Sequence, residues 1–190
     1  MAENSAIEWT RHTFNPWRGC TKVSAGCANC YAETMSGRNP KTLGVWGPNG
    51  TRVVASEAMW REPVKWDRAA KAAGERHRVF CASLADVFED WQGPMMDSQG
   101  ERVTTQVPGF AVRLMTMQDV RIRLWKLILA TPHLDWLLLT KRPQNIATML
   151  RDVWFQIDSA RDSDPRNARP FEAPSNVWLG TSVENQATAD

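Results

Sequence analysis

The chain has 190 residues, enough to bury a complete hydrophobic core, and we expect residues 1–190 to form a single domain. Its 43% hydrophobic and 23% charged residues are typical of a globular protein, and a net charge of +2 does not indicate a nucleic-acid binder. The sequence has no run of about eighteen apolar residues that would span a membrane. Its first residues lack the pattern of a signal peptide, so we expect a cytoplasmic protein.

Residues 1–19 show no clear period and predict an extended lead into a cysteine-rich segment. Three of the four cysteines follow: six residues separate Cys20 from Cys27, and two separate Cys27 from Cys30. Clustered cysteines in a reducing compartment are more often metal ligands or redox groups than disulfides. The fourth, Cys81, lies in an apolar run and is predicted to be a buried small hydrophobe. The sequence therefore predicts a metal site at the first three cysteines.

The next part of the chain predicts short elements. Residues 31–35 favour a helix that ends before Pro40, and 52–54 favour a short strand inside a loop. A helical region begins at Ser56, and Pro63 is expected to make its first part irregular. Its candidate buried positions are Trp60, Val64 and Trp66.

The second half of the chain alternates apolar strands with amphipathic helices. Such a succession predicts an α/β fold with a parallel sheet, and we expect a partial (β/α) barrel. Residues 91–109 predict a surface loop, and the arginines of the first of these helices are expected to face solvent. The expected strands cover 79–83, 134–139 and 176–180, and the expected helices cover 119–131 and 146–157.

Each predicted strand delivers polar residues at its carboxyl end, where parallel α/β folds build their sites. Asp86 follows the first strand, Lys141 and Arg142 follow the second, and Glu184 follows the third. The simpler alternatives are that Asp86 caps a helix, that the basic pair is exposed, and that Glu184 is a solvated turn acid. We expect these strand ends and the cysteine segment to meet in one cavity.

Three chemistries compete for the cysteines. Structural zinc needs four ligands, and His12 could complete a Cys3His set. The spacing of Cys27 and Cys30 is also that of a redox dithiol, although this leaves Cys20 unexplained. A four-iron cluster on three thiolates leaves one iron open to a small molecule. Two further candidates for the fourth zinc ligand are His77 and His133.

A family resemblance is carried by the stretches Ile7–Thr10, Asn15–Trp17, Gly19–Ser24, Gly26–Glu33, Ser83–Phe88, Leu137–Pro143 and Val177–Asn185. Over essentially its whole length the chain resembles a phage- and bacterium-encoded family of uncharacterised proteins that is similar to radical S-adenosylmethionine (radical SAM) enzymes. The spacing of the cysteines departs from that superfamily, whose members place three and then two residues between them. The glycine-rich segment by which the superfamily binds the amino group of its cofactor is not identifiable here.

The resemblance implies a 4Fe–4S cluster on the three cysteines, with S-adenosylmethionine (SAM) on the open iron. It implies reductive cleavage of SAM and hydrogen abstraction from an unknown substrate, for which a nucleotide or nucleic acid suits a phage-associated enzyme. Family members continue with further strands, so we expect this chain to lack the C-terminal strands of the full barrel. A phage-encoded member would act in the host cytoplasm, either alone or with a partner protein.

The positions at the strand ends suggest roles for these residues. Asp86 could bind the substrate or accept a hydrogen bond from the amino group of the cofactor, and we expect both Asp86 and Glu184 to contact the cofactor. Lys141 and Arg142 are expected to bind a carboxylate or phosphate of the substrate, because an arginine fork suits such groups. The alternative from another class is a non-catalytic, zinc-stabilised binding module.

Overall fold

The structure is a computed structural model that describes residues 2–3, 5–106, 111–159 and 173–183. A single 3₁₀ turn, Ala25–Cys27, lies in the cysteine segment. The helices are α1 (Tyr31–Arg38), α2 (Pro40–Leu43), α3 (Glu57–Ala73), α4 (Met117–Ala130) and α5 (Pro143–Ser159). The strands are β1 (Ala2–Glu3), β2 (His12–Phe14), β3 (Trp17–Arg18), β4 (Arg52–Val54), β5 (His77–Cys81), β6 (Met95–Met96), β7 (Thr104–Gln106), β8 (Val112–Leu114), β9 (Leu134–Thr140) and β10 (Val177–Thr181).

The centre of the fold is a sheet in the order β1-β2-β5-β9-β10. Four of these strands, β2, β5, β9 and β10, are parallel, and β1 runs antiparallel to β2. Helices connect the parallel strands, so each neighbouring pair is a β/α crossover unit. The predicted α/β class and parallel sheet are confirmed. Among the described residues the strands form an open sheet, and a closed barrel is not present.

The strand order follows the chain order, which a barrel wall requires and which a doubly wound sheet does not show. The register between β5 and β9 pairs His77 with Leu134 and Cys81 with Leu138. The carboxyl ends of these strands therefore lie at the same edge of the sheet. That edge carries the loops that reach the cysteine segment.

The two long helices of the second half cover the sheet with apolar faces, as predicted. The buried residues of α4 include Val120, Leu124 and Ile128, which repeat at helical spacing. A capping box between Thr116 and Asp119 begins this helix. The buried face of α5 consists of Leu150, Val153 and Ile157. Cys81 is completely buried in the core that these helices cover, as its apolar surroundings predict.

Helix α3 begins where predicted, because Ser56 caps its first turn by accepting a hydrogen bond from the Met59 amide. It differs from its prediction in two respects. The helix is continuous through Pro63, although its first part was expected to be irregular. Trp60 and Trp66 are buried as expected, but Val64 is 36% exposed. At about 100° per residue, Val64 lies at the edge of the buried face, roughly 40° from Trp60 on the side away from Pro63.

Three further expectations were wrong or incomplete. Residues 1–19 are extended in part, as expected, but they also contain β2, which is the first parallel strand of the central sheet, and β3, which pairs with β4. The loop expected over 91–109 contains β6, with Met95 completely buried, and β7, which forms a hairpin with β8. Strands of two or three residues are too short to produce a readable period.

Arg121 of α4 was expected to face solvent, but it is buried. Its guanidinium donates hydrogen bonds to the carbonyls of Val87 and Glu89, which replace the hydrogen bonds to water that it would otherwise make.

No helix in the described part of the chain is long and apolar enough to cross a membrane.

Candidate functional site

A cavity of about 210 Å³ opens at the carboxyl ends of β5, β9 and β10. All three clustered cysteines line it, together with three of the residues predicted from the strand ends. The expected meeting of the cysteine segment with these strand ends is therefore present. Its lining residues are Cys20, Thr21, Lys22, Cys27, Cys30, Tyr31, Ala32, Trp46, Phe80, Ala82, Ser83, Ala85, Asp86, Leu139, Thr140, Lys141, Arg142 and Ser182.

The chain enters the cysteine segment at a glycine that no other residue can replace without strain. Gly19 has a φ of +105°, and a Cβ atom there would lie 2.5 Å from the Thr51 carbonyl oxygen. Its amide donates a 3.0 Å hydrogen bond to the Leu84 carbonyl, and the Cys20 carbonyl accepts one of 2.9 Å from Gly47. These backbone contacts hold Cys20 against the loop that follows β5.

The other two cysteines belong to the start of α1. Cys27 ends the 3₁₀ turn, and Cys30 is the N-cap residue of α1. Burial favours the neutral Cys27 thiol, but hydrogen bonds from Val23 and Ser24 and the charge of Lys141 outweigh it and lower the pKa. Lowering that pKa favours the thiolate, which is the form that binds metals.

Cys20 has a different environment from Cys27. It is buried, and burial together with the nearby Glu89 and Asp86 carboxylates raises the pKa of its thiol to about 12. Arg142 opposes this shift, because its Nη1 atom lies 3.6 Å from the Cys20 sulfur. A positive group bound near this sulfur would be needed to favour its thiolate.

Arg142 is not the exposed basic residue of the simpler alternative. It is 5% exposed, donates from Nη1 to Asp86 at 2.8 Å, and donates from Nη2 to the Thr21 carbonyl at 2.6 Å. Burial lowers the pKa of Arg142, but its interactions with the Cys20 sulfur and with the Asp86 and Glu89 carboxylates outweigh it and raise that pKa. The guanidinium is therefore a fixed part of the cavity wall, and its nitrogen atoms already donate to protein groups.

Asp86 lies on the cavity wall, as predicted, and both of its oxygens already accept hydrogen bonds. Oδ1 accepts from the Thr140 hydroxyl at 2.8 Å and from the Phe88 amide at 2.9 Å. Oδ2 accepts from the Lys141 amide at 3.1 Å and from Arg142 at 2.8 Å. The carboxylate ties the loop after β5 to the end of β9, and it caps no helix because residues 84–90 form turns.

A second buried ion pair, which the sequence did not predict, lies next to the pair of Arg142 and Asp86. Arg52 donates two hydrogen bonds of 2.8 Å to Glu89 and a third of 2.8 Å to the Thr21 hydroxyl. Glu89 also lies 3.6 Å from Arg142. The pair joins residues 37 positions apart, and neither stands in a recognisable motif. These three charged side chains and Asp86 make a compact network of two cations and two anions next to Cys20 and Thr21.

The remaining walls of the cavity are mainly apolar and aromatic. Trp46, Phe80 and Leu139 contribute to them, and Tyr31 donates a 2.7 Å hydrogen bond from its hydroxyl to the Ser83 carbonyl. Lys141 also lines the cavity, and its expected role in binding a substrate stays a prediction. Glu184 lies outside the described residues.

All three histidines are among the described residues, and none of them lines this cavity. His12 stacks on Trp66 with ring centroids 4.3 Å apart and lies 3.2 Å from His77, away from the cysteines. His133 contacts Asp67. None of the three histidines is therefore placed to complete a Cys3His zinc site with the clustered cysteines. Within the described residues, no group of three or more His, Cys, Asp or Glu side chains is arranged to hold a metal ion.

Comparison with known proteins adds one family assignment. Neither the curated proteins nor the solved structures contain a match to this sequence. A family model described as "Protein of unknown function (DUF5131)" matches residues 4–190, and on that match the chain belongs to this family.

Proposed function

We propose that this protein is an iron–sulfur protein of radical SAM type, in which Cys20, Cys27 and Cys30 hold a 4Fe–4S cluster. The observation that carries the proposal is that these three thiols line one cavity at the carboxyl ends of parallel strands. Iron–sulfur clusters take thiolate ligands, and three thiolates leave one iron open. On this proposal, residues 1–190 form one domain with part of a radical SAM barrel.

The donor set fits such a cluster in its chemistry, although the thiols are not arranged as a ligand group. Loading would therefore require the other two cysteines to close toward Cys20, which backbone hydrogen bonds hold in place. Residues 21–24 have no regular secondary structure, and Cys27 follows within a single 3₁₀ turn, so this part of the segment can rearrange without breaking an α-helix or a sheet. The lowered pKa of Cys27 favours the thiolate that the cluster needs.

The chemistry supplied by a bound cluster and SAM is one-electron reductive cleavage followed by hydrogen abstraction from the substrate. The residues of the chain would orient and shield this reaction. Trp46, Phe80 and Leu139 form an apolar wall that excludes water. Lys141 offers a cation to a carboxylate or phosphate, which suits the nucleotide or nucleic-acid substrate that we propose. Asp86 and Arg142, which also line the cavity, act as positioning residues.

The test is metal analysis of protein that is purified and reconstituted without oxygen. We expect about four irons and four sulfides per chain, with the visible absorption of thiolate–iron clusters. Cys20→Ala, Cys27→Ala and Cys30→Ala should each lose the cluster. Cys81→Ala is the matched control, because Cys81 is buried in β5 and does not line the cavity, and it should keep full iron content.

Two results separate this proposal from its rival. Reduced, iron-loaded protein should cleave SAM, and the Cys30→Ala variant should not. A colourless protein with one zinc and no iron would overturn the proposal and favour a zinc-stabilised binding module, with its fourth ligand from a group other than histidine.

A further inference from the structure

We propose that Arg142 and Asp86 set the reduction potential of the group held at Cys20, with Arg142 raising the potential and Asp86 lowering it. This inference rests on the proposed function, because it presupposes a cluster on the three cysteines. The sequence predicted different roles for these residues: substrate binding for Arg142 and cofactor contact for Asp86.

The geometry fixes the guanidinium beside the sulfur. Nη1 of Arg142 lies 2.8 Å from an Asp86 oxygen and 3.6 Å from the Cys20 sulfur. Nη2 donates a 2.6 Å hydrogen bond to the Thr21 carbonyl, which is the residue next to the cysteine. A planar guanidinium held at these points cannot rotate away from the thiol without breaking a buried hydrogen bond. The cation therefore stays next to this ligand.

The charges of the pair predict the direction of the effect. Reduction adds an electron to the cluster, so a nearby cation stabilises the reduced form and a nearby anion destabilises it. A hydrogen bond donated to the ligating sulfur acts in the same direction as the cation, because the donor hydrogen stabilises the negative charge on the sulfur. Arg142 and Asp86 are each 5% exposed, so water screens their charges only weakly.

A structural role alone would predict something different. If the pair served only to brace the cavity wall, removing either member would loosen the same wall, and the two variants would behave alike. An electrostatic role predicts shifts of opposite sign, because the two side chains carry opposite charges. The sign of the shift therefore separates the two explanations.

The experiment is a redox titration of the anaerobically reconstituted protein, followed by the electron paramagnetic resonance signal of the reduced cluster. At the midpoint potential of the wild type, we expect Arg142→Gln to lower the ratio of reduced to oxidised cluster about tenfold, which is about 59 mV for one electron. We expect Asp86→Asn to raise that ratio. Arg142→Lys keeps the charge but loses the fork, so its shift should be smaller than that of Arg142→Gln.

Arg121→Gln is the matched control. Arg121 is a second buried guanidinium, bonded to the Val87 and Glu89 carbonyls, and it does not line the cysteine cavity. The substitution makes the same change of charge, and its shift should be well below tenfold because the side chain does not contact a cluster ligand.

The outcomes are distinguishable. Should Arg142→Gln fail to fold, the shifts of Asp86→Asn and Arg142→Lys still decide the matter. Unmoved potentials in these variants, or shifts of the same sign for both charges, overturn the inference while the cluster itself remains. A wild-type chain that binds no iron overturns the proposed function, and this inference falls with it.

Discussion

The Arg52 guanidinium and the Glu89 carboxylate are joined by two hydrogen bonds of 2.8 Å, and their side chains are 0% and 1% exposed. Removing one member of a buried pair leaves the other charged and desolvated, which costs about 3–5 kcal/mol. We therefore expect Arg52→Met to lower the free energy of unfolding by about 3 kcal/mol in urea at pH 7. Lys65→Met is the control, because it breaks an exposed pair with Glu62 that contributes about 0–1 kcal/mol. Equal losses in both variants would contradict the prediction.

The entrance to the cysteine segment is a second test. Gly19→Ala places a methyl group against the Thr51 carbonyl and forces a left-handed backbone on alanine. We expect a loss of at least about 1–3 kcal/mol of unfolding free energy. Gly37→Ala is the control: Gly37 lies in α1 with no atom near its Cβ position, so it should gain about 0.5–1 kcal/mol. A Gly19→Ala protein as stable as the wild type would show that this turn can relax.

Asn15 links the ends of two parallel strands. Its Oδ1 atom accepts a 2.7 Å hydrogen bond from the Leu84 amide, and its Nδ2 atom donates a 3.1 Å bond to the Ser83 hydroxyl. Asn15→Ala leaves the Leu84 amide without this partner, so we expect a cost of about 1–3 kcal/mol in chemical unfolding. Ser83→Ala removes only the hydroxyl and should cost less. The reverse order of the two losses would contradict this assignment.

The buried His12 predicts a dependence of stability on pH. Burial, and then the charges of His77 and Arg11, lower the pKa of His12 to about 4 in the folded chain. Between about pH 6.5 and pH 4 the unfolded chain binds a proton at this position and the folded chain does not. Stability is therefore complete above this window and falls as pH is lowered through it, by at most about 3 kcal/mol for this group.

The measurement is urea unfolding at several pH values within that window. His12→Phe keeps an aromatic ring to stack on Trp66 and cannot be protonated, so its stability should fall less steeply. His133→Gln is the control, because His133 is partly exposed and hydrogen-bonded to Asp67, and it should keep most of the wild-type slope. A slope that is unchanged in His12→Phe would rule out His12 as its source.

Long elements could be predicted from the sequence because they repeat their pattern several times. α4 and α5 have 14 and 17 residues, and β9 has 7, which is enough to show a period. β2 and β3 have 3 and 2 residues, so no period exists to be read. The first parallel strand was missed for this reason, and with it the true extent of the sheet.

The candidate site was predictable in its residue types but not in its contacts. Cysteine spacing and strand ends identified the residues that meet in the cavity. The contacts of the Arg142 side chain were not predictable, because the two groups that accept its hydrogen bonds lie 56 and 121 positions away in the chain. Arg52 and Glu89 carry no motif, since a buried ion pair depends on tertiary contact alone.

The hydrogen bonds at Asp86 restrict which ligands the cavity can accept. A carboxylate has about four lone-pair sites, and four donors of the protein already use those of Asp86. A ligand that turned an amino or hydroxyl group toward this wall would have to displace one of them, and the displaced group would remain buried. The cavity therefore discriminates against ligands that point a hydrogen-bond donor at Asp86.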